Sequence, residues 1–126
     1  MTYTLQQQKE NRKAWVKALR SGDYKQGKGA LCQKDNTSNL LFCCLGVAGD
    51  ISPLEKIDKN SGFINFGFNG KPKYDSGYQY IANFMGLKTT LGQYSHTSLA
   101  NLNDDGFTFD QIADIIEYEP EGLFND

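Results

Sequence analysis

Apolar and polar positions along this chain of 126 residues repeat with two different periods, and the changes of period divide it into elements. Over residues 5–20, Trp15, Ala18 and Leu19 recur at helical spacing with basic side chains on the other faces, which predicts an amphipathic helix. Ser21-Gly22-Asp23 closes it, Gly22 being a natural left-handed terminator. Ala30–Gln33 and Asn39–Cys43 read as short strands joined by a turn-rich stretch, a hairpin. Residues 44–49 then turn helical, with Leu45, Val47 and Ala48 in the core and Pro53 as the stop. Within 58–77, Phe63, Asn65, Gly67 and Asn69 alternate with Ile64, Phe66 and Phe68, which gives one strand or a ragged hairpin. The short stretch Tyr78–Met85 is ambiguous between strand and helix. Tyr78, Ile81, Ala82 and Met85 follow helical spacing, with Gly86 as the cap. Leu99 and Leu102 mark a short helix, and Asp105-Gly106 a turn. The last helix is announced by a capping box, Thr108 with Gln111, and by the apolar face Phe109, Ile112, Ala113 and Ile116. Pro120 stops it, and residues 121–126 are expected to fray. The expected fold is α+β, a single domain over 1–126 with a small antiparallel sheet and three to four short helices.

Composition narrows the class. With 39% hydrophobic, 13% aromatic and 22% charged residues, the chain has enough apolar side chains to build one core and is not of the disordered type. No apolar run approaches the ~20 residues of a membrane span. The first fifteen residues carry no apolar signal-peptide core, which points to a cytoplasmic protein. Three cysteines, two of them adjacent (Cys32, Cys43, Cys44), do not make a disulfide framework or zinc spacing. Cys43 and Cys44 read as small buried apolar residues. No metal and no cofactor are expected.

Charge changes the picture more. Residues 1–30 hold seven bases and two acids, a net of +5, and residues 101–126 hold eight acids and no base, a net of −8, within a whole-chain charge of −2. Arg12, Arg20, Lys25 and Lys28, with Trp15 and Tyr24 among them, form the basic end. Such a cluster suits a phosphate-bearing ligand, through bidentate guanidinium contacts and aromatic stacking. It equally suits docking of the chain's own acidic end or a neighbour's. The acidic helix repels a long polyanion, so no long nucleic acid is expected. His96, the single histidine, is the simplest general base or a ligand contact. Asn103-Asp104-Asp105-Gly106 reads as a turn whose side chains bond their own backbone, with a carboxylate site as the rival reading.

Three blocks carry a family likeness. Trp15…Ala18-Leu19-Arg20-Ser21-Gly22-Asp23-Tyr24-Lys25-Gln26, then Phe42-Cys43-Cys44-Leu45-Gly46-Val47…Asp50, and then Leu102-Asn103-Asp104-Asp105-Gly106…Phe109…Ile112-Ala113-Asp114…Ile116-Glu117 resemble a widespread family of small phage and prophage proteins. Residues 52–95 carry no comparable match. In size and phage context that family is similar to anti-defence sponge proteins, which bind cyclic oligonucleotide signals of bacterial immunity such as the CBASS signals. Those proteins sequester the signal without catalysis, as homo-oligomers. The resemblance therefore implies a non-enzymatic protein, a dimer or tetramer, with a cyclic di- or trinucleotide as its ligand. Site residues are assigned by chemistry alone: Arg12, Arg20, Lys25 and Lys28 for phosphates, Tyr24, Phe68 and Tyr94 for stacking, and His96 with its polar neighbours at base edges. Two rival readings stand beside this one, an inhibitor that binds a protein through the acidic C-terminal face, and a small nucleotide hydrolase using His96 or Asp104.

Overall fold

The computed structural model describes residues 2–72 and 76–125. Helix α1 (Leu5–Arg20) spans the segment expected of it, started by a capping box between Thr4 and Gln7 and followed by Gly22 at φ 80°. Strands β1 (Cys32–Lys34) and β2 (Leu40–Phe42) form the expected hairpin, and α2 (Cys44–Ile51) follows directly. The alternating segment becomes β4 (Phe63–Phe68), turned at Asn69-Gly70 into β5 (Lys71–Pro72). It is preceded by β3 (Glu55–Asp58), a strand whose sequence Glu-Lys-Ile-Asp carries too little apolar signal to announce itself. Then come α3 (Tyr78–Met85), the hairpin β6 (Gln93–Tyr94) and β7 (Thr97–Ser98), α4 (Leu99–Asp104) and α5 (Phe109–Tyr118).

The main sheet is antiparallel in the order β2-β1-β4-β3, with β5 paired to the end of β4. Period-two alternation puts Ile64 and Phe66 of β4 in the core and turns Phe63 and Asn65 away from it. Phe66 lies against α2 and α3: a Cβ on Gly49 would stand 3.0 Å from its ring and 3.1 Å from Ile81. Helix α2 is apolar apart from Asp50 near its end, and Cys44 to Gly49 are all buried, as in a central core helix. Its contact with the chain before β1 is so close that a Cβ on Gly46 would lie 1.8 Å from the Leu31 carbonyl oxygen.

The C-terminal segment does not fray over residues 121–125; Asp126, the last residue of that expectation, lies outside the described residues. Leu123 and Phe124 are buried, the Lys88 N–H donates to the Leu123 carbonyl at 3.0 Å, and the Asn125 N–H donates to the Gly86 carbonyl at 2.8 Å. Two apolar side chains after Pro120 supply the burial that outweighs the end's conformational entropy.

Candidate functional site

The basic end of the chain is largely engaged by the protein itself. Arg12 is buried at the C-terminus of α3, where helix carbonyls lack intrahelical partners. Its Nε donates to the Met85 carbonyl at 2.7 Å, its Nη2 reaches the Gly86 and Asn125 carbonyls, and its Nη1 meets Glu119 Oε1 at 3.0 Å. The guanidinium also lies 3.9 Å from the centre of the Phe124 ring. Arg20 forks onto α5, with Asp114 at 2.5 Å and Glu117 at 3.2 Å. The Tyr24 hydroxyl donates to Asp50 at 2.5 Å and its ring packs edge-on against Phe42; burial first, then this bond, pushes its ionisation well above the usual tyrosine range. Lys25 is exposed and pairs loosely with Asp35 at 3.7 Å. Phe68 stacks edge-on with Tyr80, Tyr94 packs against the core from β6, and His96 sits exposed at the tip of the β6–β7 turn. Lys28 is exposed with no ion pair among the described residues. The eight residues assigned from chemistry fall in four places, Arg12 and Arg20 on α1, Tyr24, Lys25 and Lys28 in the loop after it, Phe68 at the end of β4, and Tyr94 and His96 on the β6–β7 hairpin, and no hydrogen bond, ion pair or ring contact among the described residues joins any two of them. Arg12, Arg20 and Tyr24 each meet a carboxylate of the same chain, Glu119, Asp114 with Glu117, and Asp50 respectively.

The three family-like blocks meet one another in space. The Trp15 indole N–H donates to the Cys44 carbonyl at 2.9 Å. Asn103 Oδ1 accepts from the Gln26 side chain at 2.8 Å and from the Cys44 N–H at 3.1 Å, while Asn103 Nδ2 donates to the Gly27 carbonyl at 2.8 Å. Asp104 accepts the Gly29 N–H at 2.9 Å. Asn103 and Asp104 are therefore long-range clamps, not residues that bond their own turn. The blocks encode this junction of loop 24–29, the N-terminus of α2 and the end of α4.

Nucleophilic chemistry finds no support at the thiols. Cys43 caps α2 by accepting the Gly46 N–H at 3.4 Å; burial pushes Cys32 and Cys43 up to about 11 and Cys44 well above its ordinary value. His96 makes no side-chain hydrogen bond to a described residue, so nothing orients it as a base.

Among the concavities that the described residues form, two lie beside the elements discussed above. One, of about 280 Å³, runs between α1 and α5, with Val16 and Ile116 at its floor and Arg12, Lys13, Glu117 and Glu119 at its rim. An anion entering it would meet two carboxylates, one of them already on Arg12. The other, of about 230 Å³, opens where β1 and β4 part. Their ladder ends at Cys32↔Ile64, and beyond it the Leu31 carbonyl accepts the Cys43 N–H at 3.1 Å on the β2 side. The gap is walled by Gly29 and Ala30 on one side and by Phe63, Asn65, Ser76 and Tyr78 on the other. Phe63 is 52% exposed, an unusual state for so large an apolar side chain. Among the described residues no acidic side chain lines this cleft, and Lys28 adjoins it in sequence through Gly29. Two aromatic rings, an amide and a neighbouring cation form the donor set of a site for a planar, anionic molecule. It lies in and beside the segment 52–95, for which sequence motifs are silent; the one signal present was the period-two alternation that points Phe63 and Asn65 to the same outer face.

No helix among the described residues is long and apolar enough to cross a membrane. A family model described as "Domain of unknown function (DUF8296)" matches residues 7–120. No curated protein and no solved structure matches the chain.

Proposed function

The chain belongs to that DUF8296 family, and we propose that it is a non-enzymatic nucleotide-binding protein that sequesters a cyclic di- or trinucleotide, one base of which enters the cleft between β1 and β4. The observation that carries this reading is the cleft's lining: the half-exposed Phe63 ring faces a gap that holds Tyr78 and the Asn65 amide and, among the described residues, no carboxylate. A base stacked on an aromatic ring gains roughly 1–3 kcal/mol whatever its sequence identity. Asn65 offers a donor and an acceptor to its edge, and Lys28 takes an adjoining phosphate. The phosphate-binding role moves from the N-terminal helix to the loop that follows it, since Arg12 and Arg20 already hold carboxylates.

The test is a thermal-shift screen of the protein against cyclic di- and trinucleotides, followed by denaturation and recovery of the ligand. A ligand at 100 times its Kd adds about 2.7 kcal/mol to stability. Wild type should respond and release intact ligand, while Phe63→Ala should lose the response. A panel without response, an equal response from Phe63→Ala, or recovery of cleaved products would each overturn the reading.

One feature favours a second reading, a protein-binding inhibitor that uses the acidic face. Asp110, Asp114, Glu117, Tyr118 and Glu121 all lie exposed along and just after α5, and Tyr118 is 82% exposed among them. A wet aromatic inside a charged rim is the composition of an interface anchor. Reversal of Asp110 and Glu121 to lysine together with Tyr118→Ala should abolish such an activity and leave nucleotide binding at the cleft intact.

A further inference from the structure

Strand β3 ends the main sheet, and among the described residues no strand pairs with its outer edge. Which of its main-chain groups face that edge follows from its neighbour. The Phe66 N–H points away from β3 and donates to the Ser76 carbonyl at 3.0 Å, on the β1 side. Phe66 is the partner of Lys56 in the β3–β4 ladder, so Lys56 and Phe66 form the pair that exchanges no hydrogen bond. The N–H and C=O of Lys56, and two residues on those of Asp58, therefore point outward. Glu55 and Ile57 spend theirs on β4.

An antiparallel partner must match this phase, which leaves three registers for a second copy of the same strand. Pairing Lys56 with Lys56 of the second copy sets like charges opposite each other, and pairing Asp58 with Asp58 does the same. The third register places Ile57 on the two-fold axis. It sets Lys56 against Asp58 and, on the outer face, Glu55 against Lys59, so that every charged pair is of opposite sign. The sequence Glu55-Lys56-Ile57-Asp58-Lys59 is thus self-complementary in charge about Ile57. The inner pairs extend existing contacts without conflict. Lys56 already meets Asp50 and Asp58 already meets Lys34, so an alternating row Asp50, Lys56, Asp58, Lys34 would cross the junction.

We propose that two copies of this chain join through antiparallel pairing of their β3 edges, with Ile57 against Ile57 on a two-fold axis, into one continuous sheet. A short, charged edge strand ordinarily repels foreign edges. Here the same charges admit this one partner in this one register. The ladder is small beside the ~1,200 Å² of a standard stable interface, so the dimer dissociates on dilution. The proposal does not depend on what the β1–β4 cleft holds.

Sedimentation velocity over a concentration series reads it directly. Wild type should pass from monomer to dimer, with dissociation favoured by added salt. Glu55→Lys, which opposes Lys59, and Lys59→Glu, which opposes Glu55, should each raise the dissociation constant roughly tenfold or more, since two symmetry-related pairs change sign at once. The double variant Glu55→Lys/Lys59→Glu should restore wild-type association, a rescue that loss of folding cannot imitate; circular dichroism confirms the fold of each variant. A monomer at every concentration, a dimer indifferent to the single reversals, or a double variant that stays monomeric would overturn the proposal.

Discussion

Asn103 accepts the main-chain N–H of Cys44 at 3.1 Å across 59 residues of sequence, fully buried and with every polar atom of its amide engaged. This one side chain holds the N-terminus of α2 and the loop before β1 on the end of α4. It joins all three family-like blocks.

Removing it should therefore be costly for reasons of satisfaction more than of size. Asn103→Ala leaves the Cys44 N–H and the Gly27 carbonyl buried without partners, at about 1–3 kcal/mol each. A loss of roughly 3 kcal/mol lowers Tm by about 10 °C in a domain of this size, measurable by calorimetry. Asn103→Asp keeps the shape and the acceptor but loses the donor to Gly27, so it should not rescue. A variant with wild-type Tm would show the clamp to be dispensable.

Gly46→Ala should not fold. The new Cβ would sit 1.8 Å from the Leu31 carbonyl oxygen, and both partners are backbone in the centre of the core. Soluble expression with wild-type circular dichroism would contradict that close approach. Gly22→Ala, where nothing lies within 4 Å, meets only the cost of its left-handed φ of 80°, about 1 kcal/mol.

The two arginines of α1 differ in kind, although both contact the acidic end. Arg20 lies at the surface, and its pairs with Asp114 and Glu117 resemble exposed ion pairs, which add little to stability and are weakened by salt. Arg12 is buried beneath Phe124 and bonds three carbonyls. Arg12→Ala should cost roughly 3 kcal/mol or more, independent of salt, because the Met85 carbonyl stays buried without its donor and the packing of the guanidinium on Phe124 is lost. It should also open residues 119–125 to proteolysis, whereas Arg20→Ala should not. Equal effects of the two variants would refute the distinction.

The thiols set an alkaline limit. Cys32 and Cys43 are held up to about 11 by burial and Cys44 is raised as well, while in the unfolded chain a thiol ionises near pH 8.5. A group raised in the folded state contributes stability in full below its unfolded value. That contribution falls as pH rises from about 8.5 through 11. Urea midpoints should be flat between pH 6 and 8 and decline above that. In native protein at pH 8 all three thiols should resist a thiol reagent that labels them at once in urea. Rapid labelling of any one of them under native conditions would contradict its burial.

Much of the fold was legible because local signals decide it. Thr108 and Gln111 name the start of α5 through a capping box that the structure forms as read. Gly86 names the end of α3, where it takes φ 78°. Period-two alternation sorts Phe63 and Asn65 from Ile64 and Phe66 on β4. The signal failed where an element's stability comes from its neighbours. Glu55–Asp58 has one apolar residue and becomes a strand because β4 beside it offers a ladder. The end of the chain is held by Arg12 and by burial of Leu123 and Phe124, contacts that no local pattern announces.

For function the division is sharper. By itself the sequence established an α+β chain with opposite charge at its two ends, because composition, caps and periodicity are local properties. It left open what the positive end is for, since a cation is equally suited to a phosphate, a solvent-facing position or a carboxylate of the same chain. For the two arginines tertiary packing supplied carboxylates by laying α5 antiparallel to α1, which brings Glu119 to Arg12 and both Asp114 and Glu117 to Arg20. It also set the gap where β1 and β4 part. Both outcomes depend on distances between segments far apart in the chain, which only the folded backbone sets.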